Sequence, residues 1–158
     1  MVAGGRWDRA SGVDLALVRV TDAAWQQPAL SPGRFGRLTG RDPDVACEAL
    51  GYPRVLRSQA ELRTREVLSG RVVSIGDLER NRYDIHVHGA TPQAGDPGEH
   101  PWGGMSGAGL FANDLLIGVI IIDRPGFPHD RLTAIPLSAL ADQPGFTQHL
   151  PSTTTSAD

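Results

Sequence analysis

The chain has 158 residues and a formal net charge of -3, which suits one domain or two small subdomains with a buried core. All 15 basic residues are arginines scattered from Arg6 to Arg131 without a cluster, which argues against nucleic acid as a partner. Cys47 is the single cysteine, and the longest apolar run, Leu115–Ile122, is too short to cross a bilayer. These totals predict a soluble cytoplasmic protein without an internal disulfide or a membrane partner.

Short apolar or alternating segments separated by glycine and proline predict strands and almost no helix. In chain order we predict strands at 14–20, 45–51, 66–75, 83–88, 108–112, 115–122 and 132–137, and a short helix over 138–142. Asn113 and Asp114 suit a two-residue hairpin turn. Gly70 predicts a bend or bulge inside its strand. This pattern is typical of an all-β barrel or sandwich.

Two long segments, 21–43 and 89–104, contain no predicted strand, and loops of this length are uncommon unless they serve a function. The second runs into GGMSGAGLF at 103–111, where one serine stands among four glycines. Glycine is favoured where φ is positive or where another group approaches the main chain. The stretch therefore predicts either a tight turn before a buried strand or a turn that presents Ser106 as a nucleophile.

Five segments form a series whose order and spacing are informative. They are DLALVRV at 14–20, VACEALGYP at 45–53, GMSG at 104–107, LIGVI at 116–120 and TAIPL at 133–137. Over about residues 12–141 this series resembles the trypsin-like serine proteases of the bacterial cytoplasmic branch. In that family the first segment carries the triad aspartate and the third carries the nucleophile, at a separation close to the 92 residues between Asp14 and Ser106.

The resemblance implies an all-β double barrel in which the second barrel is complete and the first is only partly present. Residues 1–43 would form the remnant of the first barrel and the linker between barrels. Residues 44–145 would form the second barrel with the nucleophile turn, and residues 146–158, which end in a small polar run, would be a disordered tail.

The resemblance also implies a serine endopeptidase that hydrolyses peptide bonds by acyl transfer. Ser106 would be the nucleophile, and Asp14 would orient the catalytic histidine. The N–H groups of Gly104 and Ser106 would stabilise the oxyanion of the tetrahedral intermediate. The implied partner is a peptide or protein substrate, with a fused or associated effector domain, and no cofactor or metal is implied.

The resemblance places four residues at the substrate-binding cleft: His100, Trp102, Ile121 and Asp123. His100 would lie at the base of the specificity pocket and Asp123 near the cleft wall, so side chains with positive charge are the expected preference. Trp102 either lines the cleft or covers the loop. Met105 stands where most members have an aspartate that pairs with a newly cut N-terminus, so activation by cleavage is not expected.

The general base is the missing part of this assignment. In family order a histidine comes first, yet the five histidines, at positions 86, 88, 100, 129 and 149, all follow Asp14. A serine hydroxyl without its base is a poor nucleophile. Either the chain begins after the catalytic histidine, or it is an inactive pseudoprotease that binds peptides in a bacterial defence or signalling protein. We favour the first interpretation because Asp14, Gly104 and Ser106 are all present.

Two other groups of residues suggest competing chemistry. Asp84, His86 and His88 alternate along one predicted strand and share a face, where they could ligate a metal ion. A solvated strand face is the favoured interpretation. Cys47 lies in an apolar strand and is interpreted as a small buried residue rather than a reactive thiol.

Overall fold

The computed structural model describes residues 15, 20–26, 33–40, 44–54, 64–74, 81–91, 100–123, 130–140 and 154–157. These residues contain the strands β1 (Arg34–Leu38), β2 (Val45–Gly51), β3 (Glu66–Ser74), β4 (Tyr83–Val87), β5 (Gly109–Ala112), β6 (Leu115–Asp123), β7 (Arg131–Pro136) and β8 (Thr154–Ala157). A 3₁₀ helix over Leu137–Leu140 follows β7. In this part of the chain, no helix is long and apolar enough to span a membrane.

Six of these strands close into an antiparallel barrel in the order β2-β3-β4-β7-β6-β5. The barrel closes at β2, where Ala49 pairs with Leu68 of β3 on one side and with Leu110 of β5 on the other. The all-β prediction is confirmed in the form of this closed six-stranded barrel. The incomplete first barrel that the family resemblance also implies stays a prediction.

Alternation along the strands separates the core from the solvent. In β2 the side chain of Cys47 and that of Ala49 point inward, whereas Glu48 and Leu50 are exposed. Cys47 is only 3% exposed, which confirms its interpretation as a buried residue, and burial raises the pKa of its thiol to about 11. In β4 the buried Tyr83 accepts a hydrogen bond at its hydroxyl oxygen from the N–H of Leu38, over 3.3 Å.

The strands of the barrel begin and end within one residue of their predicted bounds, and the bounds of β2 are those predicted. Two further strands differ from the prediction. β1 lies in the predicted loop 21–43, and β8 lies in the tail expected to be disordered. Both are short and owe their conformation to parallel pairing, of β1 with β6 and of β8 with β1. The predicted strand 14–20, except for residues 15 and 20, lies outside the described residues.

Local turn chemistry was predicted well at the hairpin and less well at Gly70. Asn113 has φ +54° between the paired ends of β5 and β6, so the predicted two-residue turn is confirmed. In β3 the register shift falls between Val72 and Ser74 rather than at Gly70. A Cβ on Gly70 would lie 2.5 Å from the carbonyl oxygen of His86, so this glycine admits the close approach of β4.

Candidate functional site

The turn that precedes β5 has main-chain N–H groups that alternate between bonded and unbonded. Three of those between residues 103 and 107 are satisfied inside the protein: that of Gly103 donates to the carbonyl of His100 (2.8 Å), that of Met105 to the carbonyl of Trp102 (3.0 Å) and that of Gly107 to the carbonyl of Ile120 (2.8 Å). The N–H groups of Gly104 and Ser106 donate to no acceptor among the described residues. Two available donors, separated by one residue, therefore lie beside the serine hydroxyl.

Backbone conformation explains why glycines flank this serine. Gly104 has φ +94° and Gly107 has φ +92°, values in the left-handed region that side chains disfavour. A Cβ on Gly104 would also lie 2.8 Å from the carbonyl oxygen of Tyr52, whereas a Cβ on Gly107 would meet nothing within 4 Å. Successive N–H groups in a turn of mixed handedness form a concavity that binds anions.

Ser106 is exposed, and its hydroxyl donates a hydrogen bond to the carbonyl oxygen of Ile121 over 2.9 Å. Two of the predicted site residues are thus brought into contact by the pairing of the turn with β6. No histidine or carboxylate among the described residues shares a hydrogen bond with this hydroxyl. Asp14, predicted to complete the site, lies outside the described residues.

The remaining predicted cleft residues differ in burial and in position. His100 is exposed, and its carbonyl oxygen accepts a hydrogen bond from the N–H of Gly103 over 2.8 Å. Trp102 is 4% exposed and belongs to the hydrophobic core. Asp123 ends β6, where its backbone pairs with Leu132, and its side chain lies outside what the structure describes.

The structure adds supporting residues that the sequence analysis did not select. Arg54 donates its N–H to the carbonyl of Gly103 over 2.6 Å, and Gly51 lies against the buried side chain of Met105. Both Arg54 and Gly51 are some fifty positions away from the turn along the chain. Only the pairing of β2 with β5 brings them there, and no local pattern could have identified them.

The histidines at positions 86 and 88, considered above as possible metal ligands, contact other side chains in pairs. His86 Nε2 lies 2.8 Å from Asp130 Oδ2, and the rings of His86 and His88 meet edge to face with centroids 6.2 Å apart. In the described ranges, no three side chains of histidine, cysteine, aspartate or glutamate are grouped closely enough to hold a metal ion. This face therefore shows paired polar side chains and no assembled metal centre.

A cavity of about 320 Å³ opens on the outer wall of the barrel, over β2, β3 and β5. Its lining includes Glu48, Ser69, Arg71, His88 and Phe111 but none of the residues predicted for the catalytic site or the substrate cleft. Arg71 is engaged by Asp44, and this hydrogen-bonded guanidinium holds the pKa of the Asp44 carboxyl below its usual value. The donors beside Ser106 therefore remain the better candidate site.

Comparison with models of known protein families found no match to this chain. Comparison with curated proteins found no match either. A functional assignment must therefore be argued from the turn itself.

Proposed function

We propose that this chain is a trypsin-like serine endopeptidase domain that hydrolyses peptide bonds by acyl transfer. The observation that carries the proposal is an exposed Ser106 hydroxyl flanked by the N–H groups of Gly104 and Ser106, which donate to no acceptor in the described part of the chain. Donors that are already oriented stabilise a developing oxyanion without reorganisation, and the loss of one costs several kcal/mol in the transition state. The closed six-stranded barrel also supports the proposal, because the resemblance implies one complete β-barrel.

In the proposed reaction Ser106 Oγ attacks the carbonyl carbon of the scissile bond and loses its proton to an imidazole. The carbonyl oxygen becomes an oxyanion that accepts hydrogen bonds from the N–H groups of Gly104 and Ser106. Collapse of this intermediate breaks the C–N bond, and the imidazolium protonates the departing amine. Water then hydrolyses the acyl-enzyme by the same steps. The proposal retains Asp14 as the residue that orients the imidazole.

The hydrogen bond from Ser106 to Ile121 defines what activation of the serine requires. A main-chain carbonyl accepts a hydrogen bond but is far too weak a base to remove the hydroxyl proton. An imidazole must therefore replace the Ile121 carbonyl as the acceptor before Ser106 can attack. We assign the cleft to His100, Ile121 and Asp123, with a preference for basic side chains, and keep the cytoplasmic location predicted from the sequence.

A peptide-binding module without chemistry is the second candidate, and the same hydrogen bond favours it. While the Ser106 hydroxyl donates its hydrogen bond to the Ile121 carbonyl, it is not activated as a nucleophile. The N–H groups of Gly104 and Ser106 nevertheless remain available to an anion. Backbone N–H groups in such concavities capture terminal carboxylates of peptides. The second candidate therefore predicts binding of a peptide through its C-terminal carboxylate without hydrolysis.

A fluorophosphonate probe separates the two candidates, because it reacts only with an activated serine. We expect no labelling of the chain alone and labelling when imidazole is added as an external base. Labelling should disappear in Ser106→Ala, which is the matched control. Equal labelling of the two proteins, or no labelling of the parent chain with imidazole present, would overturn the endopeptidase proposal. If the parent chain is not labelled with imidazole present, binding of a peptide through its C-terminal carboxylate would support the binding module.

A further inference from the structure

The residue between the two available donors is buried although its neighbours are exposed. Met105 is 1% exposed, and both of its main-chain polar groups are bonded: the N–H to Trp102 and the carbonyl oxygen to the N–H of Ala108, over 2.9 Å. Gly104 and Ser106, on either side, are exposed. The turn therefore directs one side chain into the core, while the flanking N–H groups find no acceptor within the residues that the structure describes.

The space that the Met105 side chain fills is left open by a glycine at the end of β2. Gly51 ends β2, and a Cβ placed there would overlap Met105 Sδ and lie 2.9 Å from Met105 Cε and 3.3 Å from the Cβ of Ala108. Any larger residue at position 51 would occupy the space that the methionine fills. The thioether of methionine is flexible and polarizable, which suits an irregular space of this kind.

From these contacts we infer that Met105 is the positioning residue of the anion-binding turn, and that its packing against Gly51 holds the N–H groups of Gly104 and Ser106 in place. The inference rests on the proposed function of those two donors. Apolar burial, rather than an ion pair, then maintains the geometry. The turn would be assembled as soon as the barrel folds and would need no new charged group for its activation.

Two substitutions test this inference from opposite sides of the contact. Met105→Ala removes the buried side chain. Gly51→Ala leaves the turn sequence intact and places a methyl group in the space that the Met105 side chain occupies. Met105→Leu keeps an apolar side chain of similar volume and should retain the geometry. Ile85→Ala is the matched control, because Ile85 is fully buried in β4, a strand that pairs with β3 and β7 and not with β2 or β5.

The measurement is an NMR titration of the full chain with methylphosphonate, a tetrahedral oxyanion. In the parent protein we expect saturable shifts of the Gly104 and Ser106 amide protons. Met105→Ala and Gly51→Ala should weaken the apparent affinity by roughly tenfold or more, because small displacements of donors are costly. Met105→Leu and Ile85→Ala should bind as the parent does, at a temperature at which every variant is folded.

The titrations distinguish the positioning role of Met105 from the proposed function of the two N–H donors. Unchanged affinity in Gly51→Ala and Met105→Ala would overturn the role of Met105 and leave the donor pair intact. If Met105→Ala does not fold, the Gly51→Ala titration decides alone. Absence of shifts at Gly104 and Ser106 in the parent protein would overturn the donor pair itself, and the proposed function with it. An equal loss in Ile85→Ala would show that general destabilisation, rather than positioning, controls binding.

Discussion

The hydroxyl of Ser106 donates a hydrogen bond to the carbonyl oxygen of Ile121, and this contact joins the turn to β6. Two main-chain bonds reinforce the junction: Gly107 N–H donates to the carbonyl of Ile120 over 2.8 Å, and Ile120 N–H donates to the carbonyl of Ala108 over 2.9 Å. The position of the serine therefore depends on a strand of the barrel wall. A group held by a regular strand is placed more reproducibly than one on an isolated loop.

Because main-chain bonds already hold the turn, we expect Ser106→Ala to change stability little. The hydroxyl is exposed, and a single hydrogen bond contributes about 0.5–1.5 kcal/mol. Urea unfolding of the parent and Ser106→Ala proteins measures the difference in the free energy of unfolding. A loss of several kcal/mol would mean that the hydroxyl is a structural group and would weaken its assignment as a nucleophile.

Alanine substitutions at Gly104 and Gly107 form a matched pair. Both positions have a positive φ, so each substitution should cost roughly 1–2 kcal/mol in backbone strain. At Gly104 the new Cβ would also meet the carbonyl of Tyr52 at 2.8 Å, which adds roughly 1–3 kcal/mol. Thermal unfolding and oxyanion titration should therefore show a larger effect for Gly104→Ala. Equal effects at both positions would contradict the role of that close approach.

Removal of the Tyr83 hydroxyl should loosen β1 from the barrel. In Tyr83→Phe the buried N–H of Leu38 loses its acceptor, and an unsatisfied buried donor costs roughly 1–3 kcal/mol. We expect lower stability and faster hydrogen exchange at the Leu38 amide. Tyr52→Phe is the control, because Tyr52 is 47% exposed. Unchanged exchange at Leu38 would show that the strand is held without this bond.

The buried thiol of Cys47 predicts a loss of stability at alkaline pH. Burial raises its pKa from 9.0 to about 11, so the folded chain keeps a proton that the unfolded chain releases. The associated stability is fully present below pH 9 and is lost as the pH rises from 9 toward 11. At the upper end the loss is at most about 3 kcal/mol.

The test is urea unfolding of the parent and Cys47→Ala proteins across this range. The slope of stability against pH should be shallower in Cys47→Ala. Burial also raises the pKa of Tyr83, so part of the alkaline slope should persist in the variant. Identical slopes in the two proteins would exclude Cys47 as the titrating group.

Much of the barrel could be predicted from local sequence. In β4, buried and partly exposed side chains alternate, and the apolar residues Tyr83, Ile85 and Val87 occur at every second position because adjacent strand residues face opposite sides. The hairpin between β5 and β6 was equally predictable, since Asn113 tolerates a positive φ. In each case the determining interaction lies within a few residues of the chain.

The candidate site was predicted only in part, from the glycines around Ser106. Their pattern predicted either a tight turn before a buried strand or a turn that presents Ser106, and the positive φ at Gly104 agrees with both. The sequence could not show that the serine would bond to Ile121 or that His100 would stay exposed. The triad role of Asp14 stays a prediction.

The sequence by itself determined the strand positions and the backbone character of the turn, because alternation and φ preferences act over a few bonds. Only the tertiary structure decided that β1 would pair beside β6 and that Met105 would pack opposite Gly51. These relationships depend on which strands the closed barrel brings together. Contacts between distant segments are selected by the burial and pairing of the whole sheet, so no short stretch of sequence contains them.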